Sequence, residues 1–159
     1  MNSMAAPLAQ THPLLIGTRA EYLEGWRWMV GADAVLLAAS LSGDLFFHDR
    51  DGRVHWIDTG AGCIACVADD VASFRRNVHR AEFCSEYLLE SVIADLTKIH
   101  RMLADDHCFG FRSLPVFGGD YGGGNRVPVR AADHFAFTGD VHRQIDGVPD
   151  GAAIELTTR

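Results

Sequence analysis

Gly43-Asp44-Leu45-Phe46-Phe47-His48-Asp49-Arg50-Asp51-Gly52-Arg53-Val54-His55-Trp56-Ile57-Asp58-Thr59-Gly60-Ala61-Gly62-Cys63-Ile64-Ala65-Cys66-Val67-Ala68 decides the fold class. Asp44 to Asp49 is an alternating strand, Asp49-Arg50-Asp51-Gly52 a hairpin turn, and Arg53 to Asp58 the returning strand. The turn Thr59-Gly60-Ala61-Gly62 then feeds a third strand, Cys63 to Ala68. Three sequential strands with short turns make an antiparallel meander.

Helical patterns flank it. Thr18-Arg19-Ala20-Glu21 resembles a capping box opening a helix through Trp28, with Tyr22, Trp26 and Met29 on one face. Ala34 to Ser40 is apolar and fits strand or helix. Asp69 or Asp70 can N-cap a short helix through Val78. From Ala81 to Ala104, Tyr87, Leu88, Val92, Leu96, Ile99 and Leu103 recur at three- and four-residue steps and predict one long helix. Its opposite side carries Glu86, Glu90, Lys98 and Arg101. Arg126 to Val129 predicts a brief strand, the segment from about Asp133 to Ile145 a C-terminal helix, and Ala152 to Thr157 a last strand. The expectation is one α+β domain over residues 1–159, a mostly antiparallel sheet packed against a long central helix and a C-terminal helix, with Met1 to Thr11 flexible.

Composition narrows the function classes. Apolar residues make up 48% and charged residues 22% of the 159, which is ordinary for a globular chain able to bury about 70% of its unfolded surface. The N-terminus lacks a basic region followed by an apolar core, so no secretory signal is read. The longest apolar run, Ala34 to Leu41, is too short to span a bilayer, and a cytoplasmic location without membrane association is expected. The net charge is −7, with Lys98 as the single lysine. A direct nucleic-acid partner is disfavoured, because neutralising phosphates takes a basic patch, whereas an acidic surface suits a basic protein partner.

Chemistry-bearing residues are present without a catalytic arrangement. Cys63 and Cys66 form a C-x-x-C, but residues i and i+3 on a strand point to opposite faces, so buried structural cysteines are expected, without metal. His134 and His142 share one helix face about 12 Å apart, too far to hold one ion. His48 and His55 could pair across the hairpin, and His107 resembles a residue at a helix C-terminus. No G-x-S-x-G elbow occurs, and Cys108 has no local partner. Neither catalytic, cofactor-binding nor metal residues are assigned.

Five glycines lie between Gly118 and Asn125. The loop lacks the Gly-Lys-Ser/Thr of a phosphate cradle, and a strand rather than a helix follows it. It is a multi-turn structural loop, whose tip residues Asp120 and Tyr121 are the candidates for partner contact.

Five short motifs in order carry a family resemblance: Gly43-Asp44-Leu45-Phe46, Gly52-Arg53-Val54-His55-Trp56-Ile57-Asp58, Cys108-Phe109-Gly110-Phe111, Gly118-Gly119-Asp120-Tyr121 and Gly139-Asp140-Val141-His142-Arg143-Gln144. From Leu41 to the C-terminus the chain resembles the C-terminal domain of immunity proteins paired with type VI secretion DNase toxins, a domain that often follows a GAD-related one. Only Met1 to Ser42 precedes the first motif, too little for a full GAD-related domain. The resemblance implies a toxin-neutralising role without enzymatic activity. The partner it implies is a cognate antibacterial toxin, basic and nuclease-like. The alternatives are a small-molecule-sensing or accessory module, and a hydrolase using Cys108 or His142.

Overall fold

The structure, a computed structural model, describes residues 8–157. Its centre is a five-stranded antiparallel sheet ordered β1-β2-β3-β4-β5, with β1 at Leu15–Ile16, β2 at Val35–Ser40, β3 at Leu45–His48, β4 at Val54–Asp58 and β5 at Cys63–Ala68. The meander is therefore β3, β4 and β5. Pairs such as Phe46 with Trp56 and Ile57 with Ile64 fix its register. Ala34 to Ser40 resolves as strand.

The central strand departs from simple alternation, since Leu45, Phe46 and Phe47 are all buried. Both faces of the sheet are covered. Phe46 and Val54 face a core built with Phe74, Val78, Phe83, Leu88, Ile93 and Leu96. Leu45, Phe47 and Ile57 face the other, with Tyr22, Leu23, Trp26 and Phe135. A strand buried on both sides has no polar period to show.

The first face is covered by three helices, α3 (Val71–Asn77), α4 (Ala81–Tyr87) and α5 (Glu90–Ile99). Asp70 caps α3, its carboxylate accepting from the Ser73 amide at 2.7 Å. The expected long helix is broken into α4 and α5. Leu89 takes a left-handed φ of 50°, the one positive φ of a non-glycine among the described residues. A straight helix over 81–104 would run about 36 Å, nearly twice the roughly 19 Å spanned by five adjacent strands. The break lets Phe83 and Leu88 before it, and Ile93 and Leu96 after it, reach the same core.

The second face is covered by a 3₁₀ segment, Ala20–Trp26, which runs into α2 (Arg27–Val30), and by the C-terminal helix α6 (Ala131–Ile145). No side chain of Thr18 to Glu21 caps the 3₁₀ segment, so the expected capping box does not form, although Tyr22 and Trp26 are buried as their spacing implied. Leu8–Thr11 is a short helix, α1, and residues 1–7 of the segment expected to be flexible lie outside the described residues. The expected strand Ala152 to Thr157 is absent. This tail is held instead by Gln144, whose side chain pairs with the Thr157 backbone through two bonds of 2.9 Å.

A second sheet pairs β6 (His107–Phe111) with β7 (Arg126–Arg130), joined by the glycine loop. Cys108-Phe109-Gly110-Phe111 is thus a strand, and His107 begins it rather than ending a helix. The Phe109 amide bonds the Leu41 carbonyl at 2.7 Å and ties this hairpin to the main sheet.

Cys63 and Cys66 are strand-borne as read, but they are exposed rather than buried, whereas Cys84 and Cys108 are buried. The reason is position: β5 is an edge strand, and sequence period cannot distinguish an edge from a centre. His55 bonds Asp49 across the hairpin at 2.8 Å, and is not paired with His48.

Candidate functional site

The five motifs converge on one buried polar hub. At its floor, Gly43 turns with φ +86° and leaves room for the His134 ring, which a Cβ would strike. His134 Nε2 lies 2.9 Å from the Gly43 carbonyl and so carries the proton that donates to it. Asp44 is buried and accepts from the Thr59 amide at 3.0 Å and the Trp56 indole at 3.1 Å. Burial, followed by the neighbouring Asp58, pushes its carboxyl up to about 7.

The next layer is the turn between β4 and β5. Asp58 accepts from the amides of Gly60 and Ala61 through one oxygen, and from the Tyr121 hydroxyl at 2.8 Å through the other. His142, one helical face along from His134, donates to the Thr59 carbonyl at 2.9 Å. The two histidines do share a face of α6, and they clamp the turn between β2 and β3 and the turn between β4 and β5. Gly139 on the same helix lies against Gly25, and its carbonyl accepts from the Trp28 indole at 3.1 Å.

Arg126 closes the hub. Only 2% exposed, it donates to the carbonyls of Ser42 at 2.7 Å, Phe109 at 3.3 Å and Tyr121 at 3.3 Å, and its guanidinium sits 3.9 Å over the Phe111 ring. Asp44 and Asp58 hold its charge against the pull of burial. A guanidinium can serve three acceptors at once because its donors are fixed in a plane.

Asn125 fastens the glycine loop. Its side chain donates to the Ser113 and Asp120 carbonyls at 2.8 and 2.7 Å and accepts from the Ser113 amide at 3.0 Å. Gly118 has φ +96°, and a Cβ on Gly119 would overlap the Ser113 carbonyl. Gly119→Ala is therefore expected to cost about 2 kcal/mol and to lower the melting temperature. An unchanged melt would place the loop outside the folding unit.

Of the two sequence candidates at the tip, Asp120 is exposed and its carboxylate accepts from the Gly122 amide at 2.9 Å. Tyr121 is 38% exposed, yet its hydroxyl faces inward on Asp58 and its ring meets Phe111 edge-on. Burial and Asp58 together raise its hydroxyl above the usual phenol value, so it stays a donor. Sequence reading missed Asp44, Asp58, Thr59 and Arg126 as members of one network. The motifs contain both aspartates, but nothing local signals that Arg126 meets them.

Burial keeps Cys108, His134 and His142 in their neutral forms. Burial pushes the Cys108 thiol up to about 12, which suppresses the thiolate a nucleophile requires. Burial also pulls His134 down to about 4 and lowers His142, leaving both neutral donors at pH 7. Among the described residues no three His, Cys, Asp or Glu side chains gather as a metal set, and no helix is long and apolar enough to cross a membrane.

These shifts give opposing pH signatures. A histidine whose folded value is depressed loses stability as pH falls below about 6.5, because the unfolded chain binds the proton first. An aspartate whose folded value is raised gains stability as pH falls from about 7 toward 4. Asp44 thus opposes the two histidines over the same pH range. Asp44→Asn is expected to expose the histidines, so that its melting temperature falls distinctly more between pH 6.5 and 4 than that of the unsubstituted protein. Parallel profiles would contradict the assignment.

Residues 68–142 match the family model described as T6SS immunity protein Tdi1, C-terminal. No curated protein matches the chain. The resemblance read from the sequence is borne out over this segment, which is similar to the C-terminal domain of a type VI secretion immunity protein. The matched residues include β6, β7, the glycine loop and both clamping histidines. The two motifs on β3 and β4 lie outside the match and are joined to it through the hub.

Proposed function

We propose, on the premise that residues 68–142 carry the type VI secretion immunity domain, that this protein binds a cognate antibacterial toxin in the cytoplasm and blocks it stoichiometrically. The toxin in this reading is a nuclease. An enzyme that acts on nucleic acid presents basic surface to phosphates, and this chain carries a net charge of −7 to receive it. The observation that carries the reading is the use made of the signature residues: Asp44, Asp58, His142 and Cys108, with His134 beside them, are buried and committed to the fold. A domain whose motifs build a scaffold acts by what that scaffold presents. The exposed loop residues Asp120 and Tyr121 belong to this reading as partner contacts at the rim.

The test is co-expression with the toxin domain that this reading expects in a gene beside this one. Cells making the toxin alone should lose viability, and cells making both should grow normally. Equal killing with and without this protein would overturn the proposal. If attraction between opposite charges guides the encounter, the association rate should also fall steeply as salt is raised.

A further inference from the structure

We propose that the toxin docks on the groove between the 3₁₀ turn Pro115–Phe117, at the foot of the glycine loop, and the C-terminal tail, placing an apolar side chain of a basic surface there; this rests on the immunity reading above. The groove has a volume of about 280 Å³ and is lined by Val116, Phe117, Ile145, Val148 and Ile154. Four of the five are exposed, with Phe117 at 45%. Large apolar side chains gathered on a surface mark an interaction site more often than chance placement does.

The groove is held in shape from behind. The Val116 amide bonds the Gly60 carbonyl, Gly118 and Gly119 bond back to Pro115 and Leu114, and the tail is fixed by Gln144 to Thr157. These bonds come from Gly60 beside the hub, from within the turn and from Gln144 on α6, while Val116 and Phe117 belong to neither hydrophobic core. Aromatic and aliphatic anchors fixed before binding lose little freedom on contact.

Charge selects the partner. Asp150 lines the groove, and Asp146 and Glu155 directly follow its Ile145 and Ile154 in the chain. All three are exposed, and among the described residues none of them is in an ion pair. An apolar cleft with unpaired carboxylates around it fits a cationic surface carrying an apolar projection. The competing apolar patch, Ile99 and Met102 at the end of α5, sits beside Arg101 and the Lys98–Asp95 ion pair and lacks such a set of unpaired carboxylates. Ile99 is 73% and Met102 95% exposed, so exposure alone would have favoured that patch.

The experiment measures binding of the purified toxin domain encoded beside this gene to the full chain and to three variants. Phe117→Ala and Asp150→Arg should each weaken binding tenfold or more with unchanged melting temperatures, and Met102→Ala should bind like the unsubstituted protein. Should Phe117→Ala melt early, Asp150→Arg decides, because that side chain is exposed and takes part in no ion pair among the described residues. Unchanged binding by both groove variants, or a loss confined to Met102→Ala, overturns the groove as the docking site. So does a self-associated protein whose dimer is broken by Phe117→Ala, which would make a second copy the occupant. Failure of the unsubstituted protein to bind would instead overturn the immunity reading itself.

Discussion

Arg126→Met is expected to destabilise the protein by about 3–5 kcal/mol, the cost of breaking a buried charge arrangement by removing one partner. The substitution keeps much of the side chain's length and apolar contact with Phe111, so the loss isolates the guanidinium. Three carbonyls, of Ser42, Phe109 and Tyr121, lose their donor, and Asp44 and Asp58 lose the cation beside them. At this size the melting temperature should fall by roughly 10 °C. Arg126→Lys should recover little, since a single ammonium cannot reach acceptors spread around a plane. Adding Asp44→Asn to Arg126→Met should return part of the stability, because it removes the carboxylate left without its cation. A melt within about 2 °C of the unsubstituted protein would show that the hub does not hold the two sheets together.

Gly139→Ala is the second large effect, and its sign is the informative part. Within a helix the change would ordinarily stabilise by about 1 kcal/mol, since alanine loses less backbone freedom than glycine. Here the added methyl would overlap the Gly25 carbonyl on the neighbouring 3₁₀ segment, which is backbone and cannot swing aside. The helix would have to lift, and His142 and the Trp28 indole would be drawn from Thr59 and from the Gly139 carbonyl. We expect a net loss of about 2–3 kcal/mol in denaturant unfolding. A neutral or stabilising result would mean that α6 is free to shift on its neighbour.

What the sequence revealed was local. The meander was legible because the alternation of β4 and the turn residues Asp49 to Gly52 and Thr59 to Gly62 are encoded within a few positions. Asp70 as a cap and the extent of α6 follow from signals of the same range. The pieces that escaped depend on distant partners. Cys108 to Phe111 contains a glycine and becomes a strand only by pairing with Arg126 to Arg130 across the loop. The break at Leu89 answers to the extent of the sheet beneath it, and the exposure of Cys63 and Cys66 to the edge position of β5. Tyr121 illustrates the same limit at the candidate site. Its glycine neighbours suggested an exposed anchor, but a carboxylate 63 residues earlier takes its hydroxyl.

The resemblance and the geometry agree on a division of labour. Asp44, Asp58, Cys108 and His142 of the motifs face inward, where substitution affects folding, and the groove beside Phe117 and Asp150 faces outward, where substitution should affect recognition. The proposed function is tested at its centre by titrating with this protein the activity of the toxin domain that this reading expects in a neighbouring gene. Activity is expected to fall in proportion to added protein and to be abolished at one equivalent. Full toxin activity in the presence of a molar excess would contradict it.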